Sequence, residues 1–91
     1  MGLGRIGREV AGLARGFGMR LVACEPAPDL AFVAAQSIEL LDLETLLARA
    51  DVVSLHVPLT PQTRHLIDAR TLARLRPGAF LVNTARGGIV D

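Results

Sequence analysis

Apolar residues in the first part of the chain fall at helical spacing. Ile6, Val10, Leu13, Ala14 and Phe17 share one face, and Gly18 stands where a helix would stop. This predicts a helix from about Arg5 to Phe17 with that face on a core. The pattern then shortens. Leu21-Val22-Ala23-Cys24 predicts a strand that ends on Glu25-Pro26 and a turn-rich Ala-Pro-Asp. Asp29 to Gln36 predicts a short helix and Ser37 to Leu41 a short strand. Asp42 starts a helix with Leu43, Leu46, Leu47 and Ala50 along one face. Val52 to Val57 reads as a buried strand that Pro58 stops, and Leu59 to His65 as loop. Asp68 caps a further helix whose apolar members are Leu72, Ala73 and Leu75, ended by Pro77-Gly78, and Ala79 to Val82 form a last apolar strand. Continuous apolar strands between helices predict an α/β fold, with a parallel sheet covered by helices on both faces. No repeat, low-complexity tract or interdomain linker interrupts the pattern.

Composition narrows the classes. At 91 residues, 51% of them hydrophobic, the chain can hold one modest core, so one domain or part of one is the ceiling. Net charge is +1, and all ten basic residues are Arg, scattered from Arg5 to Arg86 without a run. No nucleic-acid footprint results. The single cysteine allows no internal disulfide, and Cys24 is expected to be a small core residue in its strand. No stretch reaches the ~20 apolar residues of a membrane span, and no signal-peptide pattern follows Met1. The expectation is a cytoplasmic protein with no membrane partner.

Candidate chemistry sits at the loops. Gly2, Gly4 and Gly7 form G-x-G-x-x-G at the start of the first predicted helix. Such spacing gives a tight turn, a backbone that can approach a pyrophosphate, and close helix packing. The free N–H groups near Arg5 and Ile6 would meet the phosphates. Glu25 ends a strand about 20 residues further on, where a dinucleotide fold holds ribose hydroxyls. The strand that should deliver the glycines has no room in front of Gly2, so the chain reads as beginning inside its cofactor site. Two other strand ends carry polar groups: His56-Val57-Pro58, and Asn83 to Gly88, where Arg86 could offer its planar fork to an anion.

Three segments together resemble the D-isomer-specific 2-hydroxyacid dehydrogenases, in the phosphoglycerate dehydrogenase-like branch. They are Gly-Leu-Gly-Arg-Ile-Gly, His-Val-Pro-Leu-Thr, and the run from Leu75 through Arg-Pro-Gly-Ala-Phe-Leu-Val-Asn-Thr-Ala-Arg-Gly-Gly-Ile-Val to Asp91. The resemblance covers essentially the whole chain. It implies a Rossmann-type NAD-binding domain, partial over residues 1–91, with its first strand, its C-terminal part and the substrate-binding domain missing. It also implies that Arg5 and Ile6 hold the pyrophosphate, Glu25 the adenosine ribose, and that Val57, Pro58 and Thr63 line the cofactor groove. Thr84, Ala85 and Arg86 would reach the nicotinamide end, with Arg86 the catalytic arginine that binds the substrate carboxylate. Glu25 stands where the family usually has Asp, which lengthens the reach and keeps the carboxylate.

By the same resemblance, the parent transfers hydride between NAD and a small 2-hydroxy or 2-keto acid, binds no metal, and pairs as a homodimer. The family's catalytic His and its orienting Glu match nothing here. His56 is expected to be structural and His65 solvated. The alternative from another class is a non-enzymatic dinucleotide sensor of corepressor type, and a third reading is an inert fragment.

Overall fold

Four short strands, each paired in parallel with one neighbour, alternate with four α-helices along the chain. The computed structural model describes residues 1–91. In order, these are α1 (Arg5–Gly16), β1 (Val22–Ala23), α2 (Leu30–Ala35), β2 (Glu39–Leu40), α3 (Leu43–Arg49), β3 (Val52–Leu55), α4 (Ala69–Leu72), β4 (Phe80–Asn83) and a 3-10 turn at Gly87–Ile89. All predicted elements are present, most of them shorter by a residue or more at one or both ends.

The sheet is split. β1 pairs with β2 and β3 with β4, and the two pairs form separate two-stranded sheets. A cleft of about 1080 Å³ lies between them, bordered by Val22 and Ala23 on one side and Val52 and Val53 on the other. Backbone hydrogen bonds span it at one end only. The Met1 amine donates to Ser54 O, His56 N donates to Met1 O, and Gly2 N donates to Cys24 O. The turn at Gly2 is therefore tethered on both sides by Met1 and Gly2.

Helix starts follow local side-chain chemistry. Asp29, Asp42 and Asp68 each accept a hydrogen bond from the backbone three residues on, capping α2, α3 and α4. At α4 the cap is reciprocal, because Thr71 Oγ1 also accepts from Asp68 N at 2.8 Å. Thr71 is 1% exposed and also donates to Leu66 O, so this hydroxyl is a core residue of the segment. The sequence pattern expected Leu72, Ala73 and Leu75 to carry that helix. Instead α4 is four residues long and Leu72 is 40% exposed.

α1 also differs from expectation. Its buried positions are Gly7 and Ala11, while Ile6, Leu13 and Phe17 are 64%, 67% and 83% exposed. The cause is close approach. Gly7 lies against the carbonyl of Gly2, so the helix must turn its small residues toward the loop and its large ones outward.

Two small cores result. Leu46, Leu47, Ala50, Val53, Leu55, Ile67 and Ile89 form one, and Leu3, Ala11, Ala23 and Ile38 the other. The surface of 5858 Å² exceeds the ~5100 Å² usual for a monomer of this mass. The excess is consistent with the cleft and the outward apolar face of α1. Of the last strand, Phe80 is 69% and Val82 41% exposed, so β4 is covered on one face only.

Candidate functional site

The glycine loop is built by three different requirements. Gly2 has φ +88°, and a Cβ there would lie 2.6 Å from the carbonyl oxygen of His56. Gly7 would drive a Cβ into the Gly2 carbonyl. Both are needed by the fold itself. Gly4 is not: its φ of −75° suits any residue, it is exposed, and a Cβ there would meet nothing within 4 Å. The missing side chain at Gly4 keeps space open in front of the loop rather than inside the protein.

That space faces the start of α1. Gly4 is its N-cap, no side chain caps it, and no acidic residue occupies its first turn. The first-turn amides, those of Arg5 and Ile6 among them, are thus left for an anion, in contrast to the three Asp-capped helices. The side chain of Ile6 points to solvent and Arg5 is exposed, so both positions contribute backbone to this face.

Beside the loop lies a cavity of about 310 Å³. It collects Gly2, Gly4, Glu25, Val57, Pro58 and Thr63 from three separate segments, along with Cys24, Pro26, Leu43 and Leu66, which sequence reasoning did not single out for a site. Cys24 follows β1 rather than lying within it and is half-buried, with its thiol pKa raised chiefly by burial. Thr63 donates to Pro58 O and accepts from Thr60 N, which fixes the loop after Pro58.

Glu25 is held by the backbone. Its Oε1 accepts from Leu3 N at 2.8 Å and its Oε2 from Ala27 N at 3.1 Å. These two bonds, the first above all, hold its pKa below the ordinary carboxylate value. The carboxylate is thus ionised and tied to the glycine loop.

β3 and β4 run in register, with Leu55 opposite Asn83, so His56-Val57-Pro58 and Thr84-Ala85-Arg86 leave the same edge of their sheet. Asn83 brackets the second segment: Nδ2 donates to Arg86 O at 2.8 Å and Oδ1 accepts from Ala85 N at 3.1 Å. Arg86 is exposed, with Nη1 on the Ala85 carbonyl at 2.8 Å, so most of its fork faces outward. Thr84, Ala85 and Arg86 do not line the 310 Å³ cavity. His56 Nε2 is 2.7 Å from Ser54 Oγ, and burial, its largest cause, lowers its pKa. His65 stands outside the cavity, 3.8 Å from Asp91. No group of His, Cys, Asp and Glu side chains is arranged to hold a metal, and no helix is long and apolar enough to cross a membrane.

Comparison with known proteins gives one answer. The family model described as D-isomer specific 2-hydroxyacid dehydrogenase, NAD binding domain, matches residues 1–91. The chain is 52% identical over its full length to D-3-phosphoglycerate dehydrogenase of Mycobacterium bovis, of which it covers 17%. Among solved structures, the apo D-lactate dehydrogenase of Escherichia coli superposes with a TM-score of 0.95 at 41% identity, over 99% of this chain and 28% of that one. The NAD-complexed D-isomer specific 2-hydroxyacid dehydrogenase of Lactobacillus delbrueckii ssp. bulgaricus gives 0.92 at 37% identity, over 99% and 27%. The chain spans 17% of the length of the first curated relatives it matches and no more than 30% of the other most similar ones.

Proposed function

The chain belongs to the D-isomer specific 2-hydroxyacid dehydrogenase family, in its NAD-binding domain. On that premise we propose that it is the cofactor-holding part of an enzyme that moves hydride between NAD and a D-2-hydroxy or 2-keto acid. One observation carries the reading: Gly4 is a glycine that the fold does not need, placed at an uncapped helix start beside an ionised carboxylate. A dinucleotide uses all three features, with pyrophosphate over Gly4 and ribose hydroxyls at Glu25.

In this reading the amides of Arg5 and Ile6 bind the pyrophosphate. Gly2 and Gly7 shape the loop, and Val57, Pro58 and Thr63 wall the groove. Thr84 and Ala85 carry the chain past the nicotinamide, and Arg86 pairs its fork with the substrate carboxylate, fixing which face meets the cofactor. Bound NAD supplies the hydride acceptor, and the protein supplies binding and orientation. The proton exchanged with the substrate oxygen is assigned to a group outside these 91 residues, because His56 is engaged with Ser54 and His65 lies outside the cavity, near Asp91. Residues 1–91 act as part of one NAD-binding domain of a homodimeric, cytoplasmic protein. The corepressor-like alternative finds no support, since the relatives named above are dehydrogenases.

The test is NADH binding by fluorescence with turnover of the full-length enzyme on D-lactate, glyoxylate, hydroxypyruvate and D-3-phosphoglycerate. NAD(H)-dependent turnover of at least one of these is expected. Absence of both binding and turnover refutes the reading.

A further inference from the structure

Two opposite charges meet on the backbone of Leu3, inside the glycine loop. Glu25 accepts from its N–H at 2.8 Å, and Arg8 Nε donates to its carbonyl at 3.0 Å. The rest of the Arg8 guanidinium has looser company. Its Nη1 is 3.3 Å from Asp29 Oδ2, with the two side chains 41% and 43% exposed, and its Cζ stands 5.1 Å from the centroid of Phe32. Exposed pairs of this kind hold weakly, so the Nη end can turn toward an arriving anion while Nε keeps its anchor. The charge of Arg8 already acts on Glu25, adding to the lowering of that carboxyl's pKa.

Resting on the function proposed above, we propose that Arg8 is a specificity-determining residue of the cofactor site. Its guanidinium is the cation that would receive a phosphate on the ribose 2′-oxygen, and the carboxylate of Glu25 is what turns such a phosphate away. After Glu25 the sequence offers no Arg until Arg49, which ends α3 beside Glu39 and makes no contact with the glycine loop. The fold sets Arg8, in the first turn of α1, on Leu3 and Asp29 close enough for its charge to act on Glu25, at the rim of the 310 Å³ cavity rather than in its lining. Arg suits the task because its planar fork can donate two bonds to phosphate. NAD preference would then be a balance between two residues, with the carboxylate dominant because it is charged, ionised and fixed at both oxygens.

Calorimetry on the full-length enzyme, with ADP-ribose and 2′-phospho-ADP-ribose as probes, tests this without turnover. Glu25→Gln keeps an acceptor for the Leu3 amide and removes the charge. It should raise the ratio of 2′-phosphorylated to plain affinity by about tenfold or more. Adding Arg8→Gln should return the ratio to within about twofold of wild type. General damage to the loop weakens both probes together and leaves the ratio unchanged, so the ratio isolates the charge effect. Should Glu25→Gln fold poorly, Glu25→Ser with and without Arg8→Gln gives the same comparison. An unmoved ratio, or a gain that survives loss of Arg8, overturns the assignment while ADP-ribose binding by wild type upholds the cofactor site. If wild type binds neither probe, the site itself and the role of Arg8 fall together.

Discussion

Gly4→Ala separates the needs of the ligand from those of the fold. Its new methyl meets no protein atom within 4 Å, and φ of −75° is comfortable for alanine. Reduced freedom of the unfolded chain favours Ala by ~0.4–1 kcal/mol. Glycine's advantage at an N-cap opposes it by a similar amount, so stability should stay within about 0.5 kcal/mol of wild type. Binding has no such compensation. A Cβ reaches about 1.5 Å from Cα into the space where the pyrophosphate must lie against the first-turn amides. Loss of one charge-assisted hydrogen bond there costs about 2 kcal/mol, near 30-fold in affinity. Gly2→Ala is the contrasting variant. With φ +88° and a Cβ 2.6 Å from His56 O, it combines a left-handed penalty with backbone overlap, together about 3 kcal/mol, and should lower Tm by several degrees. NADH titration followed by fluorescence, with a thermal melt of each variant, reads both quantities in the full-length enzyme. Gly4→Ala binding NADH within twofold of wild type, or melting as early as Gly2→Ala, would refute the reasoning.

Arg86→Lys keeps charge and loses the fork, so kcat/KM for the acid substrate should fall by about tenfold or more, and near-normal steady-state kinetics would remove Arg86 from catalysis. Thr71→Val leaves the Asp68 amide and the Leu66 carbonyl without their shared partner in a buried site and should destabilise by ~1–3 kcal/mol in denaturant melts, with Thr71→Ser recovering part of it. The folded pKa of Glu25 lies below its ordinary 4.5, so its tether to Leu3 and Ala27 contributes stability above that pH and loses it as pH falls through the lowered value. Hydrogen exchange at the Leu3 and Ala27 amides across that window should show protection falling with acid in wild type and not in Glu25→Gln. Residues 1–91 made alone should self-associate through the edges of β1 and β3 that border the cleft and bind NAD weakly, and light scattering that finds a monodisperse monomer with micromolar affinity would count against this.

What was legible in the sequence was what is local. Asp29, Asp42 and Asp68 reveal helix starts because each side chain bonds backbone three residues on, and Gly2-x-Gly4-x-x-Gly7 shows the loop by its spacing, although the close approach that requires Gly2 comes from His56. The apolar spacing of α1 misled, because helix periodicity identifies faces without saying which one the small residues Gly7 and Ala11 must press inward. Thr71 carries no such local signal, because a polar residue enters the core only when its partners, Asp68 and Leu66, are in place. The meeting of Arg8, Leu3 and Glu25 joins Leu3 to a residue 22 positions away, beyond any periodicity.

Within residues 1–91, Met1 and Gly2 are the only rung of backbone bonding between the two half-sheets, and the next residue is the one that Glu25 and Arg8 grip. A ligand seated on this loop would therefore act as mortar as well as cargo. By stiffening the peptide at Leu3 it would resist the parting of the halves, so the interior amides of β1 and β3 in residues 1–91 should exchange more slowly when the loop is occupied.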